Sequence, residues 1–185
     1  MKYYKKITGK KVYLSPICMD DAHKYAEWLN DVDIYKYLLV SPQIIGIESE
    51  KEALVRLMKG KIFAIIDSEK DLLIGNCGLH DVDSIHKTCE LGIFIGDKDY
   101  HGKGYGTEAI KLLLDFAFNV LNLNNVMLKL YEYNQRGYKS YLKSGFQVIG
   151  RRRKAIFFGG KYHDEIFMDI LADEFKGEYF RNAID

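Results

Sequence analysis

Three glycines within five residues, Gly102, Gly104 and Gly106, give this chain its clearest chemical signal. They lie between an apolar segment over 91–95 and a longer helix-like segment over 107–121. Glycine is favoured at such a turn when the backbone needs a positive φ or when another group must approach it closely. The free N–H groups and the dipole of a helix N-terminus favour an anion, and phosphate is the usual one. The run therefore predicts a site for a phosphate-bearing cofactor at the start of the helix.

The elements around this turn predict a mixed α/β layer architecture. Alternating or continuous apolar residues indicate strands, and apolar residues three and four apart indicate helices. Ser49 and Glu52 have the spacing of a capping box, which predicts a helix start there. The predicted bounds are strand 11–15, helices 20–29, 34–38 and from 49, strands 61–66, 72–79 and 89–95, helix 107–121, strand 126–131, helix 134–143, and hairpin strands 153–158 and 162–170. This order differs from the strict alternation of a doubly wound sheet.

Composition predicts one soluble domain over 1–185. The chain is 48% hydrophobic and 29% charged, which is ordinary for a globular protein, and its net charge of +1 gives no lean toward nucleic acid or membranes. The three cysteines show no C-x-x-C spacing, which favours a reducing, cytoplasmic compartment over disulfides or zinc. The acids and histidines near His80 and His86 match no standard ligand set, so we predict no metal.

Two common phosphate loops fit the glycine run poorly. A triphosphate P-loop needs G-x-x-x-x-G-K-[ST], and no glycine here is placed to supply it. Gly104 to Ala109 matches G-x-G-x-x-A, the alanine variant of the dinucleotide motif. That turn, however, lies past the midpoint of the chain and after strands with an antiparallel pattern. A dinucleotide-binding protein is therefore the weaker alternative.

A second spaced set lies downstream: Asn134, Gly137, Tyr141 and the pair Gly145–Phe146. Together with the glycine run, this set resembles the GNAT superfamily of acetyl-CoA-dependent N-acetyltransferases. That family's diphosphate loop has Arg or Gln, two residues, Gly, one residue, then Gly or Ala. In this chain His101 occupies the Arg or Gln position, which matters little where backbone N–H groups bind the phosphate.

The RimJ/RimL-like branch of that superfamily is the closest in pattern. The segment 158–164 resembles its aromatic-Gly-Lys hairpin, and Leu14, Pro16 and Trp28 resemble its N-terminal region. The resemblance covers about 11–172. It implies a GNAT-like acyl-CoA N-acyltransferase fold, in which helices flank a central, mostly antiparallel sheet.

The resemblance also implies acetyl-CoA as cosubstrate. The residues that it assigns to the donor are Phe94, Ile95, Gly96, His101, Gly102, Lys103, Gly104, Tyr105, Gly106, Thr107 and Asn134. Phe94 to Gly96 would lie beside the pantetheine and offer a backbone N–H to the thioester carbonyl. Asn134 would cap its helix and contact the pantetheine arm.

Acetyl transfer to an amine needs a proton acceptor, a stabilised oxyanion and a proton donor for the thiolate. By resemblance Tyr141 is the general acid, with Tyr138 one turn earlier as the competing tyrosine. Glu90 is the leading base, because apolar neighbours on its strand would raise its pKa by desolvation. His80 is the alternative base, since imidazole titrates near neutral pH.

The acceptor is the open question of the sequence. We expect an amine on a small molecule or at a protein N-terminus, with no nucleic acid or membrane partner; a homodimer stays open. Four acids in the regions that would form the acceptor pocket could hold a cationic amine, namely Glu27, Asp31, Glu48 and Asp164. The basic run 151–154 could meet the cofactor's 3′-phosphate or an acidic substrate, although a solvated strand edge is the usual explanation for such a run. A non-catalytic CoA-binding module on the same fold is the alternative function.

Overall fold

A computed structural model describes residues 2–38, 43–177 and 179–180; the other residues of the predicted domain lie outside the described part. The helices are α1 (Ala22–Leu29), α2 (Val32–Tyr35), α3 (Ile47–Leu57), α4 (Tyr105–Asp115) and α5 (Gln135–Lys143). The strands are β1 (Ile7–Thr8), β2 (Val12–Pro16), β3 (Lys61–Asp67), β4 (Leu73–Asp83), β5 (Thr88–Ile95), β6 (Asn125–Tyr131), β7 (Gln147–Phe158) and β8 (Lys161–Leu171).

The strands form one mixed sheet in the order β1-β2-β3-β4-β5-β6-β8-β7. Antiparallel pairing joins β1 to β2, β2 to β3, β6 to β8 and β7 to β8. The pair β5 and β6 is parallel, with its register running from Thr88 opposite Asn125 to Glu90 opposite Met127. Both strands continue beyond that last pair, β5 to Ile95 and β6 to Tyr131. The predicted α/β fold with a mostly antiparallel sheet is confirmed.

Contacts divide the chain into two compact units, Met1–Gly78 with Ile93–Ala109, and Leu79–Gly92 with Ile110–Asp185. The divisions fall inside β4, β5 and α4. The first unit has a buried core from α1, α3 and the β2 and β3 strands, with Tyr25 and Leu54 at its centre. The second unit buries the apolar stripe of α4 and alternate residues of β6 and β8.

Two helices, α3 and α4, depart from their predicted bounds. Ser49 is not the N-cap of α3: the helix begins at Ile47, and the Ser49 hydroxyl reaches back to accept the Gly46 N–H at 3.1 Å. Helix α4 begins at Tyr105 and so includes Gly106 in its first turn. It continues as a π-helical turn over Phe116–Val120, where the Leu121 N–H donates to the Phe116 carbonyl at 3.0 Å.

The C-terminal hairpin is longer than predicted. Its β7 strand begins at Gln147, and positions from Gln147 to Arg152 already pair with β8. Register shifts between Val148 and Gly150 and between Arg152 and Ile156 interrupt simple alternation in this part of the strand. Gly159 and Gly160 have φ of 59° and 79°, the conformation that a two-residue turn between antiparallel strands requires. None of the described helices is long and apolar enough to cross a membrane.

Candidate active site

The glycine loop, residues 101–106, belongs to the first unit and leads into α4. Gly102 and Gly104 have φ of 73° and 89°, which side chains rarely adopt. A Cβ on Gly102 would meet nothing within 4 Å, so conformation and not crowding requires glycine there. The Glu108 N–H donates to the Gly104 carbonyl at 3.0 Å, and helix geometry leaves the Tyr105 and Gly106 N–H groups without intrahelical acceptors. The loop therefore fits a diphosphate.

His101 has a side-chain role in this loop as well as a backbone one. Its Nε2 lies 2.8 Å from the Ile95 carbonyl oxygen, and its backbone N–H donates to the Lys98 carbonyl at 3.1 Å. The imidazole therefore fixes the end of β5 relative to the loop. The sequence predicted only a backbone contribution at this position.

Hydrogen bonds at the end of β5 limit which of its backbone N–H groups can donate to a thioester. The Gly96 N–H donates to the Ile74 carbonyl at 2.9 Å, so this donor is already used. Strand N–H groups alternate in direction, so the Phe94 N–H points to the same side as Gly96 and the Ile95 N–H points away from β4. Of the three predicted donors, Ile95 alone has an N–H directed away from β4.

The side chains near the end of β5 serve packing. Phe94 makes perpendicular ring contacts with Tyr25 and Trp28, at centroid distances of 6.3 and 6.1 Å. A Cβ on Gly96 would lie 2.1 Å from Trp28 Cδ2. Glycine at 96 is thus required by the indole of α1, and the cluster holds the strand end in place.

In the second unit, the spaced set around Asn134 forms one helix with a cap at each end. The Asn134 Oδ1 accepts the Gly137 N–H at 3.0 Å as the N-cap of α5. A Cβ on Gly137 would lie 2.8 Å from Asn134 Nδ2, which explains the small residue three positions on. Gly145, at φ 102°, ends the helix. Much of this motif is therefore needed for the helix itself.

Tyr141 lies on the buried side of α5. It is 8% exposed, and its ring meets Phe146 edge-on at a centroid distance of 5.9 Å. Burial raises the pKa of Tyr141 to about 12. The hydroxyl therefore stays protonated across the whole working pH range of an enzyme, as a proton donor must.

Both predicted bases lie on β4 and β5 in the second unit. The Glu90 carboxylate is paired with the Lys129 ammonium at 3.2 Å, so it is not the isolated carboxylate that its apolar neighbours predicted. His80 is exposed, and a Cβ on Gly92 would lie 3.0 Å from its Nε2. Because Glu90 and Gly92 are two residues apart on one strand, they face the same side of the sheet. The two candidates therefore share a face.

That side of the second unit's sheet is a polar face, formed by Glu90, Met127, Lys129, Tyr131, Glu165, Phe167 and Asp169. Its alternating partners, among them Leu128 and Met168, are fully buried on the opposite side. The Asp169 carboxylate accepts from Asn125 Nδ2 at 2.8 Å, and Glu165, 5% exposed, lies 3.7 Å from Arg152 Nη1. In the sequence, buried apolar residues alternate with other residues over 164–170. This period of two could have predicted that Glu165 and Asp169 lie on one face of the sheet.

The four acids predicted to hold an amine each form an ion pair with one of the chain's own cations. Within the described residues, Glu27 pairs with Lys24, Asp31 with Lys98, Glu48 with Lys51 and Asp164 with Arg151, at 3.3, 2.7, 2.8 and 3.1 Å. Asp164 also accepts the Lys154 N–H at 2.8 Å, where the backbone has a positive φ. Its main role is thus to hold an irregular part of β7.

A further group that the sequence missed follows β6. The Glu132 carboxylate lies 3.5 Å from His163 Nδ1 and 3.7 Å from Arg151 Nη1. The Tyr133 ring meets His163 edge-on at 4.8 Å and stacks near Phe158 at 6.1 Å. Arg151 and Arg152 of the basic run thus have acidic partners within the second unit.

Residues 11–147 match the model of the acetyltransferase (GNAT) domain. The match covers well over half of the chain and includes the glycine loop, Asn134 and Tyr141. The chain belongs to the GNAT acetyltransferases. The dinucleotide alternative is therefore wrong.

Characterised and uncharacterised bacterial N-acetyltransferases are similar to this GNAT protein along nearly its whole length. It is 28% identical over 175 residues to the spermidine N(1)-acetyltransferase of Escherichia coli K12, covering 93% of this chain and 92% of the relative. It is 26% identical over 181 residues to the uncharacterized N-acetyltransferase p20 of Bacillus licheniformis, covering 95% and 98%.

Solved structures of acetyltransferases share its fold. A GNAT family acetyltransferase from Bacillus anthracis superposes with a TM-score of 0.81 at 24% identity, covering 91% of this chain and 99% of the other. The spermidine N-acetyltransferase of Vibrio cholerae, in complex with CoA and spermine, gives 0.81 at 24% identity, with coverage of 90% and 98%. At this identity the likeness shows the GNAT fold.

The protein is an acetyl-CoA-dependent N-acetyltransferase, and acetyl-CoA is its cosubstrate. The prediction of an enzyme, as opposed to a non-catalytic CoA-binding module, is confirmed at this level. Its glycine loop has two positive-φ glycines, and helix geometry leaves the Tyr105 and Gly106 N–H groups without intrahelical acceptors, which is the chemistry that the diphosphate of this cosubstrate needs.

Proposed function

We propose that the protein acetylates a primary amine of a small polycationic molecule, with spermidine-like polyamines as the first candidates. The observation that carries this is the polar face, where three carboxylates, Glu90, Glu165 and Asp169, outnumber the cations Lys129 and Arg152. Such a face favours a ligand with more than one positive charge. Relatives named as spermidine acetyltransferases support the same class.

The donor side is assigned to backbone groups. The diphosphate binds to N–H groups of the loop from His101, Gly102, Lys103 and Gly104 through Tyr105, Gly106 and Thr107, and Asn134 contacts the pantetheine arm. Phe94 and Gly96 form the strand end beside the pantetheine, and Ile95 supplies the N–H that polarises the thioester carbonyl. The cosubstrate supplies an acetyl group on a thiol leaving group. His101 holds the Ile95 peptide in position through its carbonyl.

Tyr141 is proposed as the general acid. The attacking amine forms the new C–N bond, the C–S bond breaks, and the sulfur takes the proton of the Tyr141 hydroxyl. Burial keeps this hydroxyl in its protonated form at every pH at which the acceptor amine can be neutral, and the raised pKa also makes it a weaker acid than an ordinary tyrosine.

Glu90 is proposed as the base, directly or through water, with His80 as the alternative. To take a proton, Glu90 must loosen its contact with Lys129, whereas His80 is exposed on the same face. Glu90→Gln and His80→Gln separate the two. The variant that removes the base loses the rise of kcat/KM with pH, and the other keeps it.

We also place the chain in the RimJ/RimL-like branch of the family. The hairpin from Phe158 to Asp164 supports this, since Gly159 and Gly160 form the tight turn of that pattern. The branch includes enzymes that act on protein N-termini, so peptides belong in the acceptor panel.

An acceptor panel tests the proposal. Purified protein is given acetyl-CoA with spermidine, spermine, putrescine, an aminoglycoside, an amino sugar and a ribosomal-protein N-terminal peptide, and free thiol is followed. We expect thiol release and a matching acetylated product with the polyamines, with a KM that rises with ionic strength. A preference for the peptide or for the amino sugar, which carries a single amine, would contradict the polycation proposal but leave the enzyme class intact.

A further inference from the structure

The turn between β1 and β2 is attached to the first turn of α4. The Glu108 carboxylate accepts the backbone N–H groups of Lys10 and Lys11, the second at 2.9 Å. Gly9 lies so close to this carboxylate that a Cβ at position 9 would be 2.6 Å from Glu108 Oε1. One carboxylate thus fixes this turn beside the glycine loop, within the first unit.

This attachment places the Lys11 side chain on the loop itself. Its ammonium donates to the Lys103 carbonyl at 2.8 Å and lies 5.4 Å from the centre of the Tyr105 ring. It would be 3.8 Å from a Cβ on Gly104. Among the described residues, no carboxylate forms an ion pair with this ammonium, because Glu108 is used by the backbone of the turn.

We propose that Lys11, which lies some ninety residues from the glycine loop in sequence, is a binding residue for the diphosphate of acetyl-CoA. The backbone N–H groups of the loop offer partial positive charges, and Lys11 adds a full one at the same place. Charge-assisted hydrogen bonds to phosphate are about twice as strong as neutral ones. This inference rests on the proposed donor site, since it assumes that the glycine loop binds the diphosphate.

Three donors test it: acetyl-CoA, acetyl-dephospho-CoA, which lacks only the 3′-phosphate, and acetyl-pantetheine, which lacks the diphosphate and the adenosine. For Lys11→Ala we expect a KM roughly tenfold higher with the first two donors, with kcat changed less than about twofold. With acetyl-pantetheine its KM equals that of the unmodified protein. Lys11→Arg recovers most of the affinity, because the guanidinium also binds phosphate.

Lys10→Ala is the matched control, because Lys10 is the exposed neighbour whose backbone alone is bound by Glu108. We expect Lys10→Ala to leave KM unchanged for all three donors. Equal KM increases for Lys11→Ala with acetyl-CoA and acetyl-pantetheine would show a merely structural role and overturn the proposal. So would an increase that disappears with acetyl-dephospho-CoA, which would place Lys11 at the 3′-phosphate.

The failure of the proposed donor site looks different. If the unmodified protein used acetyl-CoA no better than acetyl-pantetheine, the loop would not bind the diphosphate at all, whatever Lys11 does. Thermal unfolding without ligand checks that Lys11→Ala folds. Its midpoint should stay within about 2 °C of the unmodified protein, since exposed surface substitutions change stability little.

Discussion

The glycine loop, proposed to bind acetyl-CoA, and the polar face, proposed to bind the acceptor amine, use different kinds of chemical group. The loop relies on backbone groups, held in shape by two glycines with positive φ and by the start of α4. The polar face relies on side chains that strand register brings to one side, and its acids are partly balanced by Lys129 and Arg152. Under the proposed function, donor binding therefore depends on backbone conformation, whereas acceptor binding depends on a charge balance that single substitutions can shift either way.

Tyr141→Phe should give the largest effect, because it removes the hydroxyl proposed as the general acid, which no backbone group replaces. We expect kcat to fall about 10²–10⁴-fold, with acetyl-CoA affinity unchanged. Steady-state kinetics with the best amine and calorimetric titration of acetyl-CoA measure the two quantities. Tyr138→Phe is the matched control on the same helix, and a larger loss there would transfer the role to Tyr138.

Two alanine substitutions test whether the loop depends on conformation. Gly104→Ala forces a side chain into φ 89°, at a strain of about 1–3 kcal/mol, so we expect KM for acetyl-CoA to rise roughly tenfold or more. Gly106→Ala has no such strain, and its Cβ would lie an ordinary 3.5 Å from the Ile95 side chain. Its KM should change less than about threefold. Equal effects of the two substitutions would mean that contact, not conformation, explains the glycines.

Lys129→Met tests the charge balance of the polar face, and unlike the substitutions above it should improve binding. Removing this cation leaves Glu90 unpaired and makes the face more negative, so we expect KM for a polyamine to fall about threefold, a typical size for one partly exposed charge. KM for acetyl-CoA should not change. Lys139→Met, at an exposed position of α5, is the control. An increase in polyamine KM would show that Lys129 positions Glu90 and does not repel the amine.

The cosubstrate could be predicted from the sequence because a backbone phosphate loop leaves glycines at fixed spacing. Gly102, Gly104 and the Asn134 to Tyr141 spacing showed both the cosubstrate and the helices that carry them. The α/β class and most of the helices and strands along the chain could also be predicted, since each element has its own apolar period. The features that could not be predicted are ion pairs and hydrogen bonds between residues that lie far apart in the sequence.

The pairing of the acids shows this limit most clearly. Asp31 was predicted to hold an amine, but Lys98, 67 positions later, lies 2.7 Å from it. Glu90 was predicted among apolar neighbours, but the parallel register of β5 and β6 brings Lys129 to it. Neither partner is visible in local periodicity. His101 illustrates the same point, because its contact with Ile95 depends on the turn between them.

The smallest effect on activity is expected at Glu50, a buried acid of α3 that belongs to neither region. It is 3% exposed, and burial raises its pKa to about 7 from an ordinary 4.5. The folded state thus holds a proton that the unfolded state releases between those pH values. Stability is fully present below pH 4.5 and is lost as the pH rises through 7.

Glu50→Gln should remove this loss, because its amide cannot ionise. We expect an unfolding midpoint several degrees above that of the unmodified protein at pH 8.5 and nearly equal to it at pH 4.5, since 1 kcal/mol corresponds to about 2–4 °C at this chain length. Scanning calorimetry without ligands measures both. Glu48→Gln, on the same helix but exposed and paired with Lys51, should show no such pH dependence. A midpoint lowered at pH 8.5 would mean that the Glu50 carboxylate has a stabilising partner in its charged form. We expect kcat/KM near neutral pH to stay within about twofold, because no step of the proposed mechanism uses this side chain.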